Sequence, residues 1–183
     1  MESTSQALAS TGEVIDAVAL SGRPCQGNEL PKVAVVEGID YATVAASAPP
    51  ETLAQRLEEA ATASLGGAPD VWHVHNHSLG KNPAFSEAVR LLAESGHGML
   101  LHLHDFAEDG RPANYRALRD GLADLSKIYP VGPRIRYAAL NRRDASFLVE
   151  AGLPDEQLIL LPNPVRPPGE EEIEPVATND VPD

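Results

Sequence analysis

The sequence predicts an α/β domain built on a doubly wound, Rossmann-like parallel sheet with helices on both faces. Short apolar runs rich in Val, Ile and Leu alternate with longer segments whose apolar residues have helical spacing. Strands that are apolar on both faces and separated by helices are typical of a parallel sheet covered on both sides. A chain of 183 residues forms one such domain with a real core and is too short for a second.

The elements follow from this alternation. The predicted strands are the runs EVIDAVAL, KVAVVEG, DVWHVH, GMLLHLH, RIRYAAL and QLILL. The predicted helices are ETLAQRLEEAATASLG, PAFSEAVRLLAESG, ANYRALRDGLADLSKIY and NRRDASFLVEAG. In the second helix Phe85, Val89, Leu92 and Ala93 share one face, and Gly96 follows its end as a capping residue.

Charge and composition restrict the class of protein. A formal net charge of −13 argues against a nucleic-acid partner, because phosphate binding needs clustered Lys and Arg. The last fourteen residues hold six acidic and no basic side chains, so we expect a domain over residues 1–165 and an acidic, Pro-rich linker or disordered tail over 166–183.

Cys25 is the only cysteine, which excludes an intramolecular disulfide. No secretory signal and no membrane span are expected, and the predicted location is cytoplasmic.

Polar segments follow three of the predicted strands: HNHSLGKN, HDFAEDGRPAN and PNPVRPP. In open parallel sheets ligands bind beyond the carboxyl ends of the strands. The sequence therefore places the binding site at this edge of the sheet.

Four histidines fall on two consecutive strands. Side chains alternate along a strand, so His73 and His75 share one face, as do His102 and His104 on the next strand. If the strands are neighbours, His75 and His104 lie close together with Asp105 beside them. We expect hydrogen-bonding residues and no resident metal, because no histidine follows His104 to complete a barrel-type hydrolase site. A metal-dependent hydrolase using the four histidines remains an alternative, as does a non-catalytic binding module.

Two loops contribute further candidates. Asp105, Glu108, Asp109 and Arg111 could act as a general base, bind sugar hydroxyls or position the guanidinium for an anion, although the same residue types also form solvated turns.

In the second loop, SLGKNP, Lys81 lies near a predicted helix start, which suits an anion, while Asn82 and Pro83 are equally explained as an N-cap and first helical residue. A Walker loop, a G-x-G-x-x-G fingerprint and a G-x-S-x-G setting for Ser78 are all missing.

Taken in order, these motifs resemble the N-terminal domain of GT-B fold glycosyltransferases, in particular the retaining family 4. DVWHVHNH resembles the family's Asp-Val-hydrophobic-His-x-His strand, and LLHLHDF its later strand ending in His-Asp. YAALNRRDASFLVEAGL followed by LILLPNPV resembles the helix and the Pro-Asn strand end that close the domain. The resemblance covers roughly Glu13 to Val165.

The resemblance implies transfer of a hexosyl group from a nucleotide-sugar, as co-substrate, to a sugar or other glycosyl acceptor, with no further cofactor. His104 matches the family's histidine that reaches the donor sugar, and with Asp105 it is the predicted catalytic group. The residues implied to bind substrate are His75, Asn76, His77, Lys81, Asn82, Glu108, Asp109, Arg111 and Asn114.

The sequence departs from the family pattern at both ends. MESTSQALASTGEV looks like the end of a helix and the second strand, so we expect the first strand and its Gly-Gly loop to be missing. The donor-binding C-terminal domain has no counterpart after Val165. The isolated chain is therefore expected to have little or no transferase activity, and a second chain supplying the donor domain is a candidate partner.

Overall fold

The computed structural model describes residues 12, 15–25, 32–41 and 48–163. It confirms an α/β, Rossmann-like domain of parallel strands and helices. The strands are β1 (Val18–Ser21), β2 (Lys32–Val35), β3 (Trp72–His75), β4 (Met99–Leu103), β5 (Ile135–Ala139) and β6 (Leu158–Leu160). The helices are α1 (Pro50–Leu65), α2 (Pro83–Glu94), α3 (Pro112–Gly121) and α4 (Arg142–Glu150), with short 3-10 turns at Leu125–Lys127 and Asp155–Gln157.

The strands form two sheets. β3, β4, β5 and β6 make a parallel sheet in sequence order, and β1 pairs with β2 in a separate parallel sheet. Each of the six predicted apolar runs overlaps one strand. The division into two sheets differs from the single sheet expected, because among the described residues β1 and β3 do not pair.

The core lies on one face of the larger sheet. Trp72 and Val74 of β3 and Leu101 of β4 pack with apolar side chains of α1 and α2 in one buried cluster. Because side chains alternate along a strand, the histidines of β3 and β4 take the opposite face. The alternation thus separates an apolar core face from a face of imidazoles.

Helix α2 begins as its sequence predicts. Asn82 is the N-cap, its side-chain oxygen accepts a hydrogen bond from the Phe85 N–H, and Pro83 is the first helical residue. Val89 and Leu92 are buried, and Gly96 has a φ of 88° after the helix ends. The predicted cap and core face are both confirmed.

Helix α3 is shorter than predicted. The helical spacing extends to residue 129, but the helix ends at Gly121 and a 3-10 turn capped by the Asp124 side chain follows. A Cβ at position 121 would lie 2.8 Å from Pro83 Cβ, so α2 approaches the helix end closely there. Glycine permits this approach and also weakens the helix.

The acidic tail predicted for residues 166–183 lies outside the described residues, as does most of the segment before Ile15. Within the part of the chain that is described, no helix has the length and apolar character to cross a membrane.

Gly80 offers a test of the packing beside α2. It has a φ of 76°, and a Cβ there would lie 2.3 Å from the carbonyl oxygen of Asn114. We expect Gly80→Ala to lower the free energy of unfolding by about 3 kcal/mol, since a left-handed conformation and a backbone clash add together. Gly96→Ala is the matched control: its φ is also positive but nothing lies within 4 Å, so about 1 kcal/mol is expected. Equal losses in urea denaturation would contradict this packing.

Candidate functional site

A cavity of about 970 Å³ opens between β1 and β3. Residues of both strands line it, together with apolar side chains of α1 and α2 and the loops at the carboxyl ends of β2 and β3. His73, His75, Asn76, Lys81 and Asn82 are among its lining residues. The cavity therefore reaches the strand ends where the sequence placed the binding site.

His75 and His104 meet at the end of the paired strands. His75 Nδ1 lies 2.9 Å from His104 Nε2, and both rings are half-buried. This contact depends on the register of the two strands. His75 stands opposite His102, and His104 lies two residues further along on the same face of the sheet. The predicted approach of the two histidines is confirmed.

Asn76 holds the two strand ends together. Its side-chain oxygen accepts hydrogen bonds from the N–H groups of His104 (2.7 Å) and Asp105 (3.2 Å), and its own N–H donates to the His102 carbonyl. Its φ is 53°, a left-handed conformation that Asn tolerates better than most residues. The structure thus gives Asn76 a positioning role at the site.

The clustered histidines are held neutral. Burial lowers the pKa of His75 to about 3 and that of His73 to about 4, and the neighbouring imidazoles add to both effects. Burial also lowers the pKa of His102 and of His104. A neutral imidazole has one N–H donor and one acceptor nitrogen, so these rings are suited to hydroxyl groups and to metal ions.

Two predicted binding residues use their side chains inside the protein. His77 is 2% exposed, its Nε2 donates to the Ile128 carbonyl at 2.9 Å, and burial lowers its pKa to about 4. The Asn82 amide nitrogen donates to the carbonyls of Gly38 and Asp40. Both residues border the cavity while fastening neighbouring loops.

The acidic loop after β4 is organised by ion pairs. Arg111 Nη2 lies 2.6 Å from Asp105 Oδ1, and Arg143 lies 3.1 Å from Asp109. The Tyr129 hydroxyl donates to Glu108. These pairs are largely exposed and contribute little stability, but they fix the directions of the charged groups around a cavity of about 450 Å³.

Lys81 belongs to the loop that follows β3, and Asn114 of α3 binds the same loop. The Lys81 ammonium stands 5.4 Å from the centre of the Tyr41 ring, and its side chain is exposed at the first cavity. Asn114 donates from its amide to the Leu79 carbonyl. Asn114 therefore holds the loop, and Lys81 offers its charge to the cavity.

Sequence reasoning missed four residues near the site. Arg23 and Asp40 form a 2.7 Å ion pair beside the first cavity, with Tyr41 next to them, and Arg143 pairs with the acidic loop. Arg23 follows β1, whereas Asp40 and Tyr41 follow β2, so the rule that ligands bind beyond carboxyl ends could have found all three. Arg143 lies within helix α4, so this rule does not single it out.

Fold and site together define a Rossmann-like α/β domain whose polar cleft collects imidazoles, carboxylates and cations at the carboxyl ends of its strands. The chain is 36% identical over 96 residues to a mannosylglucosyl-3-phosphoglycerate synthase of Petrotoga mobilis (strain DSM 10674 / SJ95). The match covers 52% of this chain and 19% of that protein. No family model and no solved structure matches.

This partial similarity supports the coarse prediction of a glycosyltransferase-type domain. It lends no support to the alternative of a metal-dependent hydrolase. Family 4 membership, the GT-B fold, the nucleotide-sugar donor and the retaining outcome stay predictions.

The lowered pKa values predict how stability depends on pH. The unfolded chain binds protons near the ordinary histidine pKa of 6.5, whereas folded His73 and His77 bind them only near 4. The free energy of unfolding should therefore fall as the pH is lowered from 6.5 towards 4, by about 3 kcal/mol for His77 alone. Urea denaturation across this window measures the slope.

His77→Gln keeps an amide donor for the Ile128 carbonyl but removes the titrating group, so it should reduce the slope without abolishing it. A stability that is constant across the window in the unsubstituted chain would contradict the neutral, buried assignment.

Proposed function

We propose that this chain is the acceptor-side domain of a GT-B glycosyltransferase of the family 4 type, which transfers a hexosyl group from a nucleotide-sugar with retention of configuration. The observation that carries the proposal is the meeting of His75 and His104 at the carboxyl ends of adjacent parallel strands, where His75 lines the cavity. The partial similarity to a sugar-phosphoglycerate synthase supports it.

The two histidines present hydrogen-bonding groups that suit a sugar. Their mutual contact uses Nδ1 of His75 and Nε2 of His104. The other nitrogen of each ring makes no hydrogen bond with the described residues, so one can accept from a hydroxyl and the other can donate to one. Their neutral state favours this pairing, because an imidazolium only donates. In this proposal His104 contacts the transferred sugar, and Asn76 positions it through the backbone.

Asp105 and Arg111 act as a pair beside the histidines. Their contact uses one carboxylate oxygen and one guanidinium nitrogen, and both side chains are about 42% exposed. The remaining carboxylate oxygen can accept from a hydroxyl, and the remaining N–H groups can donate to an anion. Asp105 thus serves as the proposed hydrogen-bond acceptor or base at the reacting hydroxyl, with Arg111 orienting it.

We infer that the acceptor is anionic. The name of the Petrotoga relative specifies a 3-phosphoglycerate that carries sugar groups. Here Lys81 and Arg23 both line the first cavity, and an exposed ammonium beside a helix N-terminus is a favourable place for a phosphate or carboxylate. A 3-phosphoglycerate glycoside would place its anionic end near Lys81 and a sugar near His75.

Transfer requires a donor-binding half in addition to this domain, supplied in the same or a second polypeptide. A two-domain transferase holds its donor across both halves, so positioning and water exclusion depend on both. We also propose that a further strand with a Gly-rich loop completes the site from the cavity between β1 and β3. Among the described residues, one edge of each of these strands has no partner, and both strands line the same space.

Acceptor binding by this chain tests the proposal. We expect 3-phosphoglycerate, or its glucoside, to bind the purified chain and to shift the NMR signals of His75 and His104. Lys81→Ala should weaken binding about 10- to 100-fold, since a charge-assisted contact is worth about 1.5–3 kcal/mol. Lys127→Ala is the matched control, because Lys127 pairs with Asp124 away from the cavity. Its affinity should be unchanged.

Nucleotide-sugar added to the acceptor complex should give no appreciable transfer by the chain alone. Rapid turnover would contradict the need for a donor-binding half. Failure of the phosphoglycerates to bind, or equal weakening by the two lysine variants, would contradict the acceptor assignment.

A further inference from the structure

The four histidines form a compact array on one face of the sheet. The ring centroids of His73 and His75 are 4.4 Å apart along β3, and those of His102 and His104 are 4.3 Å apart along β4. Across the strands, His73 lies 5.4 Å from His102, and His75 lies 5.2 Å from both His102 and His104. The glycosyl-transfer proposal uses the two at the strand ends and leaves the inner pair without a function.

The inner pair has the spacing of metal ligands. His73 Nε2 and His102 Nδ1 are 3.2 Å apart. Two imidazole nitrogens that each lie about 2.0–2.1 Å from a tetrahedral zinc ion are about 3.3 Å apart. The pair therefore already has the nitrogen separation of a zinc site.

A third nitrogen is within reach. One ring nitrogen from each of His73, His75 and His102 lies within 4.8 Å of the other two. His102 is 5% exposed, and its Nδ1 faces His73 Nε2 across the two strands. Three imidazole nitrogens therefore lie close enough together to share one ion.

We propose that His73, His75 and His102 bind a divalent transition-metal ion that favours imidazole nitrogen, such as Zn²⁺. With the ion bound, His75 is a metal ligand, and His104 is the histidine that contacts a sugar hydroxyl. The lack of a histidine after His104 excludes only metal sites built from many strands. Two adjacent strands in this register bring three nitrogens together without any later residue.

The donor set and location determine what the ion would do. Three neutral ligands leave its charge uncompensated and its fourth position open, as in zinc sites that bind water or substrate. His73 and His75 line the cavity, so the open position would face that space. The ion would join β3 to β4 and place positive charge beside the cavity, where an anionic group could bind to it.

Zinc titration of the untagged full chain, stripped with a chelator, tests the site. Isothermal titration should show one equivalent of Zn²⁺ bound, and Co²⁺ should give the visible absorption of a low-symmetry nitrogen site. His73→Asn and His102→Gln should each weaken zinc binding at least about 100-fold. Even a residue that only supports a metal ligand lowers the metal affinity 10–100-fold when it is changed. His97→Asn is the matched control, because His97 bonds to Glu58 outside the array.

Circular dichroism checks each variant for folding, and the half-buried His73 gives the decisive variant if His102→Gln does not fold. Lack of saturable zinc binding, or equal binding by the wild type and His73→Asn, would overturn the proposal. Phosphoglycerate binding is measured separately through Lys81→Ala, so failure of the metal site is distinguishable from failure of the proposed function.

Discussion

The parallel pairing of β3 with β4 in one register is the constraint on which the site depends. His75 stands opposite His102, so the alternation of side chains sends all four imidazoles to one face and the apolar residues to the core. A slip of one residue would exchange these faces. Asn76 secures the same register at the strand ends by accepting two N–H groups of the neighbouring strand's exit loop.

Burial then sets the chemistry of that face. Burial disfavours the charged form of these histidines. The rings therefore do not bind anions as cations, and their neutral nitrogens can bind hydroxyl groups or a metal ion. Positive charge comes instead from Lys81 and Arg23 at the first cavity and from Arg111 at the second. A site divided in this way suits a ligand with a hydroxylated part and an anionic end, as a sugar phosphate has.

Much of this arrangement could be predicted from the sequence because period and spacing control it. The apolar runs predicted the parallel strands, Asn82-Pro83 predicted the start of α2, and the two H-x-H pairs predicted the contact of His75 with His104. Each of these features is local or follows from strand alternation alone.

Other features depend on contacts far apart in the chain. His77 reads as another cleft histidine, yet its acceptor is the Ile128 carbonyl, fifty-one residues away. The end of α3 at Gly121 reflects its close approach to Pro83, and the division into two sheets depends on which strand edges meet. Spacing within one segment carries no information about such partners.

A crystal structure of the chain with a bound 3-phosphoglycerate glycoside would show whether this face binds the acceptor. We expect the anionic end near Lys81 and a sugar hydroxyl within hydrogen-bond distance of the free nitrogen of His75 or His104. A ligand bound elsewhere, or bound without contact to either histidine, would contradict the assignment of this face as the acceptor site.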